Sequence, residues 1–326
     1  MAKSPASKKN IASSRPATQA AKRAPARPQP KASSGRPAGL FTWLVIGLVV
    51  VIVATLGIIK VASGGPATTT GNGTFTPTDP TTVAQLTGVP MSVFNAVGAT
   101  SNVEQVSPPI KVKGQPPLTA VNSSGATVPQ IVYVGAEFCP YCAAQRWTTI
   151  IALSRFGTWS GLGNMTSYAH DIYPNTPTFT FVKATYKSKY IVFTSVEEEA
   201  NYLNAAGTNY QALQTPTKLE LALIDKYDTP KYIKGLTSAN PFPIPFMTFG
   251  NKFLVSGASY SPDTLTNLSR TAIATGLSDP TSPVTDAIIA SANYQTAAIC
   301  SLTNNQPSNV CTSSGVMAAK AVMKIK

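Results

Sequence analysis

Hydrophobic and polar positions divide the chain into three stretches. Residues 1–39 contain almost no large apolar side chain, residues 40–59 carry no charge, and the residues after them alternate between short apolar runs and polar turns. A stretch without large apolar residues buries too little surface to offset the entropy of ordering, so residues 1–39 are predicted to be disordered. The uncharged run has the length of about 20 residues that a helix needs to cross a bilayer, which predicts a transmembrane helix over residues 40–62. A cleaved signal peptide is the alternative.

Beyond the predicted span, the pattern indicates a spacer followed by one folded domain. Residues 63–80 are small, polar and rich in turn formers, which is typical of a flexible linker, and residues 81–326 are predicted to form the domain. An apolar run over 130–135 predicts a buried strand, and helical spacing then continues to Arg155, with Pro140 suited to the first helical position. The other main predicted elements are two paired strands over 178–182 and 190–194, helices over 197–204 and 217–226, a hairpin over 244–256, a helix opening at Ser261, and a long helix over 284–298 that closes the domain.

Basic residues are concentrated before the predicted span. Nine of the 26 Lys and Arg residues precede residue 37, in a segment without an acid. Sixteen basic residues face 13 acidic ones after residue 62, so the domain is nearly neutral and no nucleic-acid partner is expected. The basic excess predicts a cytoplasmic N-terminus, which places the domain on the extracytoplasmic side of the cell membrane as a single-pass protein.

A Cys-x-x-Cys motif at the junction of the predicted strand and helix carries the candidate chemistry. The unpaired N–H groups at a helix N-terminus stabilise a thiolate, and this effect is strongest at the first cysteine, Cys139. Cys142 lies on the same face of the helix and would resolve a mixed disulfide formed at Cys139. Half of a zinc site has the same spacing, so the motif alone does not decide the function.

Two blocks of sequence resemble the thioredoxin superfamily. The segment Ala136–Cys142, Ala-Glu-Phe-Cys-Pro-Tyr-Cys, looks like its active-site segment, and Ile244–Lys252 resembles its strand that begins with a cis-proline. The resemblance implies an α/β class with a thioredoxin-like fold, a central mixed sheet flanked by helices, and a large insertion between the two blocks. It also implies that Cys139 and Cys142 are catalytic, with no cofactor. Pro245 would then present backbone groups to a substrate, and we expect Ile244 and Tyr141 to bind substrate beside it.

The chain departs from the superfamily at one position. Thioredoxin has a buried acid six residues before its first active-site cysteine, where this chain has Tyr133. The residues after the span are also similar to a family of archaeal and bacterial membrane-anchored proteins known only as a domain of unknown function. That likeness implies no activity. The long insertion is where we expect substrate selection.

The remaining chemistry-bearing residues favour structural roles. Cys300 and Cys311 enclose a turn-rich segment and are predicted to form a structural disulfide; a redox relay and a four-cysteine zinc site are the alternatives, and no metal is expected. His170, the only histidine, is predicted to be a loop residue, and Glu137 to be solvated. Trp147 and Phe249 are predicted to pack in the core.

The sequence supports two functional hypotheses. The first is a membrane-anchored, extracytoplasmic thiol-disulfide oxidoreductase that acts on the thiols or disulfides of exported proteins and exchanges electrons with a redox partner protein. The second is a membrane-anchored binding module in which Cys139 and Cys142 form a non-catalytic disulfide. Resistance of that disulfide to mild reductant would distinguish the second from the first.

Overall fold

The computed structural model describes residues 74–101, 105–236 and 243–325. The predicted disordered segment, the predicted transmembrane helix and most of the predicted linker lie outside these residues. Within the described part, no helix is both long and apolar enough to span a bilayer.

The described residues form a mixed α/β structure. The helices are α1 (Pro80–Thr87), α2 (Met91–Val97), α3 (Pro140–Ser154), α4 (Lys218–Tyr227), α5 (Arg270–Gly276), α6 (Pro283–Leu302), α7 (Ser308–Cys311) and α8 (Ser314–Met323). The strands are β1 (Thr76–Pro77), β2 (Ile110–Lys111), β3 (Thr119–Val121), β4 (Thr127–Gly135), β5 (Thr158–Ser160), β6 (Gly163–Thr166), β7 (Pro177–Thr180), β8 (Thr185–Lys187), β9 (Val192–Glu197), β10 (Glu199–Leu203), β11 (Tyr210–Ala212), β12 (Phe246–Phe249) and β13 (Phe253–Ser256).

A six-stranded sheet lies at the centre, and β4 is its middle strand. The strand order is β2-β13-β12-β4-β3, and β9 also pairs with β4. The β4–β9 pair is parallel and the other pairs are antiparallel, so the sheet is mixed, as the resemblance implies. Three small sheets, β1-β6-β7, β5-β8 and β10-β11, lie outside it.

Helices cover both faces of the central sheet because β4 is apolar on both of its sides. Ile131 and Tyr133 belong to the larger apolar cluster, which contains the buried residues of α3 and α6. Val132 and Val134 alternate with them and pack on the other face against α4. A strand buried on both faces reads as a continuous apolar run, which is why the sequence predicts it correctly. The predicted core residues Trp147 and Phe249 are both fully buried.

Three predicted elements differ from the structure. Residues 199–203 form strand β10 rather than a helix, because the backbone of this segment continues the pairing with the end of β4: Glu198 N–H donates to the Gly135 carbonyl and Glu137 N–H to the Glu199 carbonyl, both at 2.8 Å. Tertiary pairing here overrides the helix propensity of three consecutive glutamates. The strands predicted to pair with each other, β7 and β9, instead pair with β6 and β4.

Ordered structure begins before the predicted start of the domain, and two elements near its C-terminal end differ from the prediction. Thr76–Pro77, within the predicted linker, form β1 and pair with β6. Ser261 opens a short 3₁₀ turn over Pro262–Leu265 rather than an α-helix. The long helix extends to Leu302, and α7 and α8 follow it, so it does not close the domain.

Candidate functional site

Cys139 occupies the N-cap position of α3. Its backbone is extended, Pro140 follows at the first helical position, and its sulfur accepts a hydrogen bond from the backbone N–H of Cys142 at 3.4 Å. Proline suits this position because its missing N–H would have had no partner within the helix. The sulfur of Cys139 therefore lies at the positive end of the helix, which favours a thiolate.

The two cysteines differ slightly in exposure. Both are buried free thiols, and Cys139 is 6% exposed whereas Cys142 is fully buried. Cys139 is therefore the nearer of the two to the protein surface.

The segment around Pro245 lies against Cys139, far along the chain from the motif. The Ile244–Pro245 peptide bond is cis. The carbonyl oxygen of Ile244 lies 3.7 Å from the Cys139 sulfur, within reach of its S–H. Pro245 is buried, while Ile244 and Tyr141 are partly exposed. The structure thus brings Ile244 and Pro245 to the cysteine pair, with Tyr141 inside the motif.

The two thiols affect each other's ionisation. Burial raises the pKa of Cys139 well above its usual range, and its hydrogen bond to Cys142 adds to this effect. Burial also opposes ionisation of Cys142, but the hydrogen bond from Cys139 and the charge of Arg146 outweigh it, so the pKa of Cys142 lies below its usual value. The pair titrates as a unit. At Cys139 burial therefore outweighs the effect of the helix N-terminus, and ionisation of the reduced pair is favoured at Cys142.

A buried ion pair lies beneath the motif. Arg146 of α3 binds Glu197 at the end of β9 through Nε and Oε1 at 2.8 Å and through a second contact, and both side chains are fully buried. Arg146 also donates to the carbonyl of Ala136 at 2.8 Å. These contacts stabilise the turn between β4 and α3, and Cys139 lies in this turn.

Glu137 is buried rather than solvated, contrary to the sequence prediction. Only 5% of it is exposed, and burial raises the pKa of its carboxyl to about 7, an effect that a hydrogen bond to Thr180 partly opposes. It borders a cleft of about 300 Å³ that is also lined by Asn164, Asn201 and Arg270. The sequence prediction was wrong because β10 and its neighbours in the insertion cover this residue.

Aromatic side chains from the cysteine motif and from the insertion lie near Cys139. Phe138 stacks on Tyr210 with ring centroids 3.9 Å apart, Tyr168 meets Tyr210 edge-on at 5.1 Å, and Tyr141 meets Tyr173 edge-on at 6.0 Å. We call these five residues the aromatic collar. Asp171 lies close to these rings and to Cys139. Its charge raises the pKa of Cys139 and of three collar tyrosines, although burial is the larger cause in each case. The collar is a surface on which a peptide side chain could stack.

The second cysteine pair forms a disulfide that links two helices at the C-terminal end of the domain. Cys300 at the end of α6 forms a disulfide with Cys311 of α7, with Cα atoms 5.6 Å apart, as predicted. Among the described residues, no group of three His, Cys, Asp or Glu side chains is arranged to hold a metal ion. His170 lies exposed in a turn, edge-on to Tyr168 at 5.3 Å.

A separate cavity of about 580 Å³ lies at the other end of the central sheet. Residues on both sides of the β12–β13 turn, including Gly250 and Lys252, line it together with Leu302 and Lys324. It contains none of the cysteines.

Sequence reasoning missed Arg146, Glu197 and most of the collar. Arg146 had a detectable signal, because it is a lone charge four residues after Cys142 within an otherwise buried helix. The role of Glu197 was missed because residues 197–204 were wrongly predicted to form a helix, which gave no reason to place Glu197 beside β4. The collar tyrosines are distant in sequence and converge only through the pairing of β10 with β11 and the loop between β6 and β7.

One protein family matches the chain over more than half of its length. The sequence model of this family, described as Domain of unknown function (DUF929), matches residues 118–301. The match includes the cysteine motif, the insertion and the segment around Pro245. No curated protein and no solved structure matches the chain.

Proposed function

The chain belongs to the DUF929 family, whose description states no activity, and we propose from the geometry of its cysteine site that it is a thiol-disulfide oxidoreductase with a thioredoxin-like fold. The observation that carries the proposal is the pair of free thiols at the N-terminus of α3, with the cis Ile244–Pro245 segment in contact with the Cys139 sulfur. A purely structural disulfide does not need a position at a helix N-terminus.

The reaction proceeds through a mixed disulfide. The Cys139 sulfur gives up its proton as it attacks one sulfur of a substrate disulfide, the substrate S–S bond breaks, and the first substrate thiolate leaves and takes up that proton. Cys142 then attacks the Cys139 sulfur, which releases the second substrate thiol and leaves a Cys139–Cys142 disulfide. The two cysteines lose two electrons and two protons, and the substrate gains both. Oxidation of a substrate dithiol is the same sequence in reverse.

The segment around Pro245 provides a place for the substrate backbone. Ile244 is partly exposed and its carbonyl already points at the Cys139 sulfur. An extended peptide that lies along Ile244 brings its own sulfur beside Cys139. The main-chain contacts would tolerate many sequences, as an enzyme with several clients requires.

The location follows from the sequence alone. The apolar run over 40–62 and the basic residues before it support a membrane anchor with the domain on the extracytoplasmic side. The substrates in this proposal are cysteines of exported proteins. A separate redox partner protein returns the Cys139–Cys142 pair to its starting oxidation state. Disulfides persist in such compartments, which is consistent with the Cys300–Cys311 bridge.

The test is a measurement of the reduction potential and turnover of the full chain in detergent. We expect a reversible Cys139–Cys142 couple in the catalytic range of roughly −120 to −270 mV, together with reduction of insulin or oxidation of a reduced client. Cys139→Ser should abolish turnover, and the matched Cys300→Ser/Cys311→Ser variant should retain it. A pair that resists reduction, or a Cys139→Ser chain that turns over like the wild type, would instead support a binding module.

A further inference from the structure

Tyr133 is a fully buried tyrosine beneath the cysteine pair. It lies in β4, its ring meets Phe181 edge-on at 5.1 Å, and the guanidinium of Arg146 lies 5.9 Å from its ring centroid. None of these contacts engages the hydroxyl. The hydroxyl has no hydrogen-bond partner among the described residues.

The hydroxyl of Tyr133 and the sulfur of Cys142 meet beside Gly135. A β-carbon on Gly135 would lie 2.3 Å from the tyrosine oxygen and 2.9 Å from the sulfur, so both atoms border the same small space. The absence of a side chain at Gly135 leaves this space open. In the reduced dithiol the two groups are close enough for Cys142 to affect the ionisation of Tyr133, although they do not meet the geometry of a good hydrogen bond.

Tyr133 can donate a hydrogen bond but cannot act as a base. Burial is the largest cause and raises its pKa well above the usual value; the charge of Arg146 opposes this, and the charges of Cys142 and Glu197 raise the pKa further. The hydroxyl therefore keeps its proton at neutral pH. An unpaired buried hydroxyl is costly, so an acceptor that appears during the reaction would be stabilised by it.

The reaction itself creates such an acceptor. In the reduced pair, Cys142 is favoured as the thiolate by the hydrogen bond from the Cys139 thiol and by the charge of Arg146, against its burial and the charge of Glu197. In the mixed disulfide, Cys139 has no S–H and cannot donate. The backbone N–H of Ala136 still acts on Cys142, and the Tyr133 hydroxyl, which borders the same space as the Cys142 sulfur, remains as a neutral side-chain donor.

We propose that Tyr133 is a catalytic residue of the resolving step, in which its hydroxyl donates a hydrogen bond to the Cys142 thiolate as that thiolate attacks the Cys139 sulfur. This inference rests on the proposed oxidoreductase function. The S–S bond between Cys139 and the substrate breaks as the Cys139–Cys142 bond forms, and the proton that Cys142 gives up ends on the released substrate thiol. Tyr133 keeps its own proton throughout.

The test separates the two steps with the chromogenic disulfide 5,5′-dithiobis(2-nitrobenzoate) and the reduced full chain in detergent. Attack by Cys139 releases one chromophore, and attack by Cys142 on the resulting mixed disulfide releases the second. Cys142→Ser assigns the phases, because it should release only the first. Tyr133→Phe removes one oxygen atom, and Tyr227→Phe is the matched control, because Tyr227 is also fully buried with an unpaired hydroxyl but lies on the other face of the sheet.

We expect Tyr133→Phe to slow the second phase about tenfold and to move its pH midpoint upward by about one unit, while the first phase and the thermal midpoint do not fall. Tyr227→Phe should leave both phases unchanged. In a Cys139→Ala chain, which also lacks the Cys139 donor, adding Tyr133→Phe should raise the pKa of Cys142, followed by the ultraviolet absorbance of its thiolate.

Two results would overturn the inference, and they are distinguishable. A Tyr133→Phe chain whose second phase has the rate and pH midpoint of the wild type overturns the role of Tyr133 and leaves the proposed function intact. A wild-type chain that never releases the second chromophore overturns the proposed function, and the role of Tyr133 with it.

Discussion

Arg146 and Glu197 form an ion pair in which both side chains are fully buried. Arg146 lies four residues after Cys142 in α3, and Glu197 is the last residue of β9, directly opposite Gly135 of β4. The pair thus links the helix that carries the cysteines to the two central strands. Its charges also act on Cys142 in opposite directions, since Arg146 favours the thiolate and Glu197 opposes it.

Removal of one partner of this pair should be strongly destabilising. In Glu197→Gln the guanidinium of Arg146 stays buried without a counter-charge, and we expect a loss of about 3–5 kcal/mol in the free energy of unfolding. Urea titration monitored by circular dichroism measures the loss. A double variant, Arg146→Met/Glu197→Leu, should recover much of it, because no buried charge is then left unpaired. A loss below about 1 kcal/mol in the single variant would show that water reaches the pair, as in surface ion pairs.

Glu137 should give the folded chain a distinct pH dependence. Its carboxyl has a pKa of about 7 in the folded chain, against 4.5 for an unperturbed glutamate, mainly because it is buried. Between these values the folded chain holds a proton that the unfolded chain has lost, so folding becomes less favourable as the pH rises through this window. Relative to Glu137→Gln, the wild type should lose about 2–3 kcal/mol from pH 4.5 to pH 7 and no more above it.

Thermal or urea unfolding at several pH values measures this difference. Asp225→Asn, which removes a carboxyl from the exposed surface of α4, is the control for the loss of one negative charge. If the wild type and Glu137→Gln run parallel between pH 4.5 and pH 7, the carboxyl is ionised in the folded chain and its burial is incomplete.

The Cys300–Cys311 disulfide should stabilise the domain without taking part in the reaction. It closes a loop of 11 residues between α6 and α7, and cross-links of this span contribute about 2–3 kcal/mol by restricting the unfolded chain. Cys300→Ser/Cys311→Ser should therefore unfold at lower temperature while its rate of insulin reduction at room temperature stays at the wild-type level. A large loss of turnover in a chain that is still folded would indicate a redox relay through this bridge.

The central strands and the cysteine helix were predictable because their signals are local. The apolar run of β4, Pro140 at the start of α3, and the Gly250–Asn251 turn between β12 and β13 each specify their structure over a few residues. The contact between Cys139 and Ile244 was expected only through the resemblance to the thioredoxin superfamily, since no spacing rule connects residues so far apart.

The insertion was not predictable because its structure depends on long-range pairing. The glutamates at 197–199 favour a helix by propensity, but their backbone groups complete the end of the central sheet. Because of this error, the sequence did not predict that Glu197 pairs with Arg146 or that Glu137 is buried. Buried charges of this kind leave little trace in a single sequence, because a charged residue reads as exposed until its partner is known.

If the proposed oxidoreductase function holds, Asp171 and the aromatic collar should give the chain a preference among substrates. Asp171 places a negative charge beside Cys139, where it disfavours the thiolate and repels anionic substrates. Disulfide peptides with lysines beside the cysteine should therefore react several-fold faster than peptides with glutamates, and added salt should reduce the ratio. Second-order rate constants for the two peptides with the reduced chain measure it. Asp171→Asn should bring the ratio close to one and Asp225→Asn should not, because the second change removes the same charge from α4. An unchanged ratio in Asp171→Asn would mean that substrate selection depends on contacts with the collar rings or on other charges of the insertion, such as Glu198 and Glu199.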